Sequence, residues 1–152
     1  MPFDPRAPTE EDRSRAYTAT WVGLAGSLVT IAGVFLGWDN LVFSIAFGAA
    51  AGGLIIAAFQ GHADDYFRSL SAVGLRWVAA ALALYLFFAF LTQIADLSYS
   101  VGFAASSGRS PASSYAGWSY VFDGFLVGAV LAFIYYAGFA FAWLRDHRGG
   151  IE

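Results

Sequence analysis

Three carboxylates hold the positions best suited to chemistry in this 152-residue chain: Asp39, Asp96 and Asp123. Each adjoins the end of a long stretch without charged residues, and we expect these ends to lie at a similar depth on one side of a membrane. A ring of carboxylates there would attract cations to the mouth of a pore. The pattern favours the alternative that each aspartate caps or ends a helix among solvated headgroups, where a carboxylate costs little.

Hydroxyl side chains form a second candidate group near the centres of the charge-free stretches: Thr30, Tyr85, Tyr135 and Tyr136. Water does not reach such positions in a bilayer, so each hydroxyl needs a partner within the protein. We expect hydrogen bonds between helices that fix their register. A proton wire or a quinone contact is the alternative, and it is disfavoured because no carboxylate or histidine lies at the same depth.

The remaining inventory predicts no metal centre and no enzyme. His62 and His147 lie near Asp64, Asp65 and Asp146, but without the spacing of a ligand motif on one helix. Histidines that hold haem in membranes face each other within the bundle, whereas these two lie outside the charge-free stretches. The chain has no cysteine and no lysine, hence no thiolate and no amine for a Schiff base. We predict no catalytic residue, no metal and no cofactor, with a haem or quinone contact as the alternative.

Four charge-free stretches dominate the sequence and predict its fold. They run from Ala16 to Trp38, Leu41 to Gly61, Trp77 to Ala95 and Gly124 to Leu144. At ~1.5 Å per helical residue, each is long enough to cross a hydrocarbon core of roughly 30 Å. Mean hydropathy is +0.60, and only 12% of residues are charged, far below the usage of soluble proteins. The sequence therefore predicts an all-α integral membrane bundle of four antiparallel transmembrane helices.

The four-helix domain is predicted to cover residues 16–148. Its spans lie at about 17–38, 41–61, 75–96 and 119–144. A polar, Pro-rich cytoplasmic arm of residues 1–15 precedes the domain, and residues 149–152 form a C-terminal stub. The first helix can begin inside this arm at Glu10, with Thr9 as N-cap and Asp12 at the capping-box position.

The connections between the spans differ in length and polarity. Asp39 and Asn40 alone join the first two spans, which predicts a tight hairpin. Residues 62–76 place apolar side chains at helical spacing, which predicts a short interfacial helix before the third span. Residues 97–117 are rich in serine and contain glycine and proline, so we expect an external loop.

The placement of arginine predicts the orientation. All eight cations are arginine, and in the four-span arrangement only Arg109 falls on the side of the serine-rich loop. The others are Arg6, Arg13, Arg15, Arg68, Arg76, Arg145 and Arg148. The positive-inside rule then places both termini in the cytoplasm, and the five tryptophans fall at the span ends, as in an aromatic belt. An arginine-only, Ala- and Gly-rich composition is typical of a GC-rich bacterial genome, so we expect a multi-pass protein of the bacterial inner (plasma) membrane.

Glycines four residues apart occur in three of the spans. The pairs are Gly33 and Gly37, Gly48 and Gly52, and Gly124 and Gly128. Small residues at this spacing let helix backbones approach closely, so we predict that these glycines pack helices against each other inside the bundle. The second span has the smoothest surface and is predicted to hold the tightest position.

These features together predict a non-enzymatic membrane protein. With a net charge of -3 and no basic run, the chain has no signature of nucleic-acid binding. Its partners are expected to be the lipid bilayer and other membrane-protein subunits, or further copies of itself. We expect a structural or accessory subunit, because aromatic side chains make up 18% of the chain and supply broad apolar contact surface. The alternative is a small homo-oligomeric ion channel or transporter that uses the outer aspartates.

Overall fold

The computed structural model describes residues 9–59, 64–108 and 123–149, and this part of the chain is helical without any strand. Four helices follow each other: α1 at Glu10–Leu36, α2 at Leu41–Ala58, α3 at Asp65–Ser107 and α4 at Gly124–Gly149. Each is long and apolar enough to cross a membrane. The all-α, four-helix class predicted from the sequence is therefore confirmed.

Helix α1 begins in the predicted arm, as its capping signal indicated. The Thr9 side chain accepts a hydrogen bond from the Asp12 backbone N–H at 3.2 Å, and the Asp12 carboxylate accepts one from the Thr9 backbone N–H. Carboxylates in the first turn also complement the positive end of the helix dipole. The capping box is confirmed, and residues 10–15 are helical and do not form an extended arm. Residues 1–8 lie outside the described part of the chain.

The connection between α1 and α2 is short because two residues end one helix and start the next. Gly37 adopts a left-handed conformation with φ of 65°, and its N–H bonds back to the Gly33 and Val34 carbonyls. Asn40 is the N-cap of α2 and accepts a hydrogen bond from the Phe43 N–H at 3.0 Å. A Cβ at Gly33 would lie 2.7 Å from the Phe43 ring, so the two helices are in contact directly after the turn.

Helix α3 is longer than the sequence predicted. It starts at Asp65 behind the N-cap Asp64 and continues without a break, so residues 65–76 are its first turns and no separate interfacial helix precedes it. It also runs through residues 97–107, which were expected to belong to a loop. The serines of that stretch donate hydrogen bonds to carbonyls three or four residues back, which satisfies their hydroxyls within the helix. Gly108, with φ of 66°, ends it.

The buried faces of α1 and α2 consist of small residues. On α1 they are Ala16, Thr20, Gly23, Gly26, Ser27, Thr30 and Gly33, and on α2 they are Ala46, Ala50, Gly53 and Ala57. A Cβ at Gly26 would lie 2.6 Å from the Ala46 carbonyl oxygen, so the two backbones are in near contact. Small residues at such a crossing allow the close approach that van der Waals packing between membrane helices requires.

The large side chains of the core come from α3 and α4. Tyr17 of α1 packs edge-on against Phe67 of α3, with ring centroids 5.2 Å apart. Phe139 of α4 completes the cluster at 5.2 Å from Phe67 and 6.2 Å from Tyr17. Arg13 reaches from α1 to the Asp64 carboxylate at 2.9 Å, so an ion pair joins the first turns of α1 to the N-cap of α3 beside these rings.

We predict that Thr9→Ala lowers the stability of the protein by about 0.5 to 2 kcal/mol, because it removes the side-chain acceptor of the N-cap. Thermal unfolding in mild detergent, followed by circular dichroism, measures the change. Ser14→Ala is the matched control, since Ser14 is an exposed residue in the body of the same helix. Equal melting temperatures for the two variants would contradict a contribution from the cap.

Candidate functional site

Tyr136 of α4 is fully buried where three helices meet. Its hydroxyl donates a hydrogen bond to the Ala50 carbonyl of α2 at 2.6 Å. A Cβ at Gly23 of α1 or at Gly53 of α2 would overlap this hydroxyl. The two glycines therefore form the space that the tyrosine occupies, and one side chain holds α1, α2 and α4 in register.

Tyr135 makes the corresponding contact with α3. Its hydroxyl bonds to the Ser71 hydroxyl at 3.0 Å, and both side chains are buried. A Cβ at Gly74 would lie 2.6 Å from the Tyr135 carbonyl oxygen, and one at Gly138 would lie 3.0 Å from the Gly74 Cα. Helices α3 and α4 are thus in backbone contact at this point, and the tyrosine hydroxyl finds its partner across that contact.

The predicted hydroxyl group is divided between several sites. Tyr135 and Tyr136 bond to α3 and α2, and their rings meet edge-on with centroids 5.1 Å apart. Thr30 is buried but donates to the Gly26 carbonyl of its own helix at 2.8 Å. Tyr85 is partly exposed and lines an apolar cavity. Two of the four hydroxyls join helices, as expected for structural contacts, and sequence reasoning missed their partners Ser71 and the Ala50 carbonyl.

Most of the glycines predicted to pack helices against each other do not lie at helix contacts. A Cβ would meet no atom within 4 Å at Gly37, Gly48, Gly52, Gly124 or Gly128. Only Gly33 makes the predicted close contact, while Gly37 serves the turn with its positive φ.

The glycines that do pack are Gly23, Gly26, Gly33, Gly53, Gly74 and Gly138. The physical reason is helix phase: Ala46, Ala50, Gly53 and Ala57 recur every three or four residues and define the buried face of α2. Gly48 and Gly52 stand off that face. The spacing of these small residues is the signal in the sequence that would have identified the packing face.

The three candidate aspartates occupy three different settings. Asp123 is a cap: its Oδ1 accepts hydrogen bonds from the Phe125 and Leu126 N–H groups at 2.9 and 3.0 Å at the start of α4. Asp39 is exposed in the turn before Asn40. Asp96 lies within α3, three turns before its end, which corrects the prediction that it caps or ends the helix.

Asp96 lies beside a recess of about 460 Å³ on the C-terminal half of α3. The recess is lined by Phe90, Gln93, Ile94, Asp96, Leu97 and Ser100. An amide, a carboxylate and a hydroxyl group thus lie together in this recess among apolar side chains.

Of the two histidines considered as possible ligands, His147 lies in the described part of the chain. His147 Nδ1 lies 2.9 Å from the Trp143 carbonyl oxygen one turn earlier, and its ring packs on the Trp143 indole at a centroid distance of 4.0 Å. Among residues 9–59, 64–108 and 123–149, no three potential ligands cluster as a metal site would need. His62 falls outside those ranges.

Helix α3 is the most unusual element, because it is scarcely covered after its first three turns. Its buried residues are Phe67, Leu70, Ser71 and Gly74, all in the first three turns. None of the 18 most apolar consecutive residues of α3 is buried, whereas 33% of that stretch in α1 and 39% in α4 are buried. Large apolar side chains are exposed along it, among them Leu84, Leu86, Phe87, Phe88, Phe90, Leu97 and Val101.

This part of α3 nevertheless has two distinct faces. Its partly covered residues recur every three or four positions: Val78, Ala81, Tyr85, Ala89, Thr92, Asp96, Ser100 and Phe103. That period is helical, so these residues form one stripe, and several of them are polar. The remaining surface is mainly leucine, phenylalanine, isoleucine and valine. The arrangement supplies a broad apolar contact surface with a polar stripe along one side.

We predict that Gly53→Ala destabilises the protein by roughly 1 to 3 kcal/mol, because the new Cβ overlaps the Tyr136 hydroxyl and overpacks the core. The neighbouring variant Gly52→Ala meets open space and should be neutral or more stable, since alanine is the better helix former. Combining Gly53→Ala with Tyr136→Phe should recover part of the loss, which a double-mutant cycle of thermal unfolding would measure. A Gly52 variant that is the less stable of the two would contradict the assigned face.

No family model, no curated protein and no solved structure matches this chain. The tyrosine contacts and the exposed surface of α3 are therefore the basis for assigning a role.

Proposed function

We propose that the protein is a multi-pass protein of the bacterial inner membrane with four antiparallel transmembrane helices and both termini in the cytoplasm. The contacts support this packing: Phe67 lies on Phe139, and one turn further along α3 Ser71 meets Tyr135, one turn earlier on α4. The arginines support the orientation, because Arg13, Arg15, Arg68, Arg145 and Arg148 lie near the ends of α1, α3 and α4 at which the termini are, although Arg76 lies 11 residues into α3.

Within this membrane protein, α3 is the docking helix of a structural or accessory subunit without enzymatic activity. The single observation that carries the proposal is the absence of any buried residue in α3 after Gly74. Contact with lipid cannot cover the whole exposed apolar surface of α3, because the helix is longer than the bilayer is thick. With 43 residues, α3 is ~64 Å long, well beyond the ~40 to 45 Å of a bilayer with its headgroups.

The register of α3 against α4 places the excess length on the outer side. Phe67 packs on Phe139, and the charge-free stretch of α4 ends at Leu144, so Asp65 lies near the cytoplasmic surface. An upright helix that starts there leaves the hydrocarbon core after about 20 residues. The exposed Phe87, Phe88 and later apolar side chains then need cover from protein. A tilt sufficient to bury all of α3 would exceed the usual range of ~0 to 40°.

A homo-oligomeric channel or transporter is the second candidate, and the recess beside Asp96 favours it. Gln93, Asp96 and Ser100 line that recess together, and a carboxylate with hydroxyl and amide neighbours can attract a cation. The accessory role is preferred because the exposed apolar surface of α3 is far larger than this polar patch, and because no proline breaks the described helices as in many transporters.

The orientation can be tested with single cysteines, because the natural chain contains none. Ser69 and Ser107 are both exposed and lie near opposite ends of α3. In intact cells, a membrane-impermeant thiol reagent should label a cysteine at position 107 and spare one at position 69, and both should react after lysis. Labelling of position 69 alone would reverse the assignment.

The docking role predicts that protein purified from its own host in mild detergent carries a foreign membrane subunit, detected by native mass spectrometry. Truncating Phe88 and Phe90 together to alanine should release that subunit, because a few large buried side chains, each costing ~2 kcal/mol or more when truncated, carry most of the binding energy of an interface. The matched control truncates Leu41 and Ile45, which are as exposed but lie on α2, and should keep the complex intact.

A homo-oligomer without foreign subunits would contradict the docking role. The decisive companion measurement is ion flux in proteoliposomes of the purified chain. We expect none. Robust flux that Asp96→Asn abolishes would establish the channel alternative.

A further inference from the structure

We propose that the apolar cavity between the last turn of α1, the middle of α3 and the first turns of α4 binds one acyl chain of a membrane phospholipid. The cavity has a volume of about 320 Å³. Its lining includes Phe35, Ala81, Tyr85, Leu126, Val130 and Ile134. This site rests on the proposed membrane orientation and not on the docking role of α3.

The cavity exists because α3 and α4 are in contact at Gly74 and Gly138 but leave space between them near Ala81. At Gly74 and Gly138 their backbones are in contact, with a virtual Cβ on Gly138 only 3.0 Å from the Gly74 Cα. Two turns further along α3, Ala81 is too small to fill the gap to Val130 and Ile134. Phe35 of α1 closes one wall.

The lining selects an apolar ligand. Every lining side chain is hydrocarbon except Tyr85, and none carries a charge. The pocket is open along one side, and its lining offers a single polar side chain, so an apolar ligand that enters from the membrane fits it better than water does. The volume lies at the lower end of the ~300 to 1,000 Å³ typical of ligand sites, which suits a slender chain better than a large ring system.

The depth of the cavity identifies the lipid. Its lining on α4 runs from Leu126 to Ile134, a distance of ~12 Å along the helix. In the proposed orientation Leu126 lies near the outer surface and Ile134 near the midplane. One leaflet contributes about 15 Å, half of the ~30 Å hydrocarbon core. The cavity therefore spans the depth that the acyl chain of an outer-leaflet phospholipid occupies.

Photocrosslinking tests the proposal in the full-length protein. The probe is a phosphatidylcholine with a diazirine on one acyl chain, incorporated into proteoliposomes, and mass spectrometry locates the adducts after irradiation. We expect labelling of the lining residues of α3 and α4 that unlabelled phospholipid competes away. Residues on the exposed face of α2, such as Ile45 and Ile55, should show labelling without saturation.

Ala81→Trp fills the cavity and should reduce labelling of the lining to the unsaturable level of the exposed face. Ala83→Trp is the matched control, because Ala83 is exposed on the same helix and should leave the lining signal unchanged. Leu126→Trp approaches the cavity from α4 and gives a second test if Ala81→Trp does not fold. Lining residues that show only unsaturable labelling in the parent, or labelling that persists in folded Ala81→Trp and Leu126→Trp, would overturn the site.

Discussion

The bundle depends on one contact, the Tyr136 hydroxyl seated between Gly23 and Gly53 with its hydrogen bond to the Ala50 carbonyl. The buried faces of α1 and α2 are made of small residues, so these two helices pack closely but offer few large side chains to fill the space beside them. Tyr136 fills it from α4. Its neighbour Tyr135 bonds to Ser71, so adjacent residues on one helix fix both α2 and α3. In an apolar surrounding the hydroxyls have no water to compete for them, which makes these bonds specific for one register even though each contributes only about 0.6 kcal/mol on average.

The helices and their starts were predictable because their causes are local. Uninterrupted hydropathy gives the number of helices, the Thr9 and Asp12 pair gives the start of α1, and Gly37 with Asn40 gives the turn. The length of α3 was not predictable from composition. A serine-rich stretch resembles a loop, yet each serine can bond to its own helix and leave the helix intact. The packing glycines were misassigned because glycine spacing does not reveal helix phase. Gly52 and Gly53 are neighbours in sequence, but only Gly53 faces a partner, and that partner lies 83 positions away in Tyr136.

Some of the candidate sites are explained by residues close in sequence, and others by contacts between distant helices. Asp123 is explained by the helix that it caps, and His147 by a carbonyl one turn away, so both have local roles. The cavity lined by Ala81 and Ile134 and the exposed surface of α3 arise from how far two helices diverge after their contact at Gly74, which no short sequence pattern encodes. The functional proposals rest on these long-range features. Tyr85, Asp96 and Ser100 belong to the partly covered stripe of α3, so even the part of this helix without buried residues has one more covered face and one exposed face.

The single anchored end of α3 has a mechanical consequence. Phe67, Leu70, Ser71 and Gly74 fix its first turns, and the helix then continues to Ser107 as a rod of ~50 Å. A rigid rod held at one end acts as a lever, so a slight pivot near Gly74 becomes a large sideways displacement at the tip. A partner bound at the far end would therefore set the angle of the whole rod, and a change of angle would reach the bundle at the Tyr135 contact.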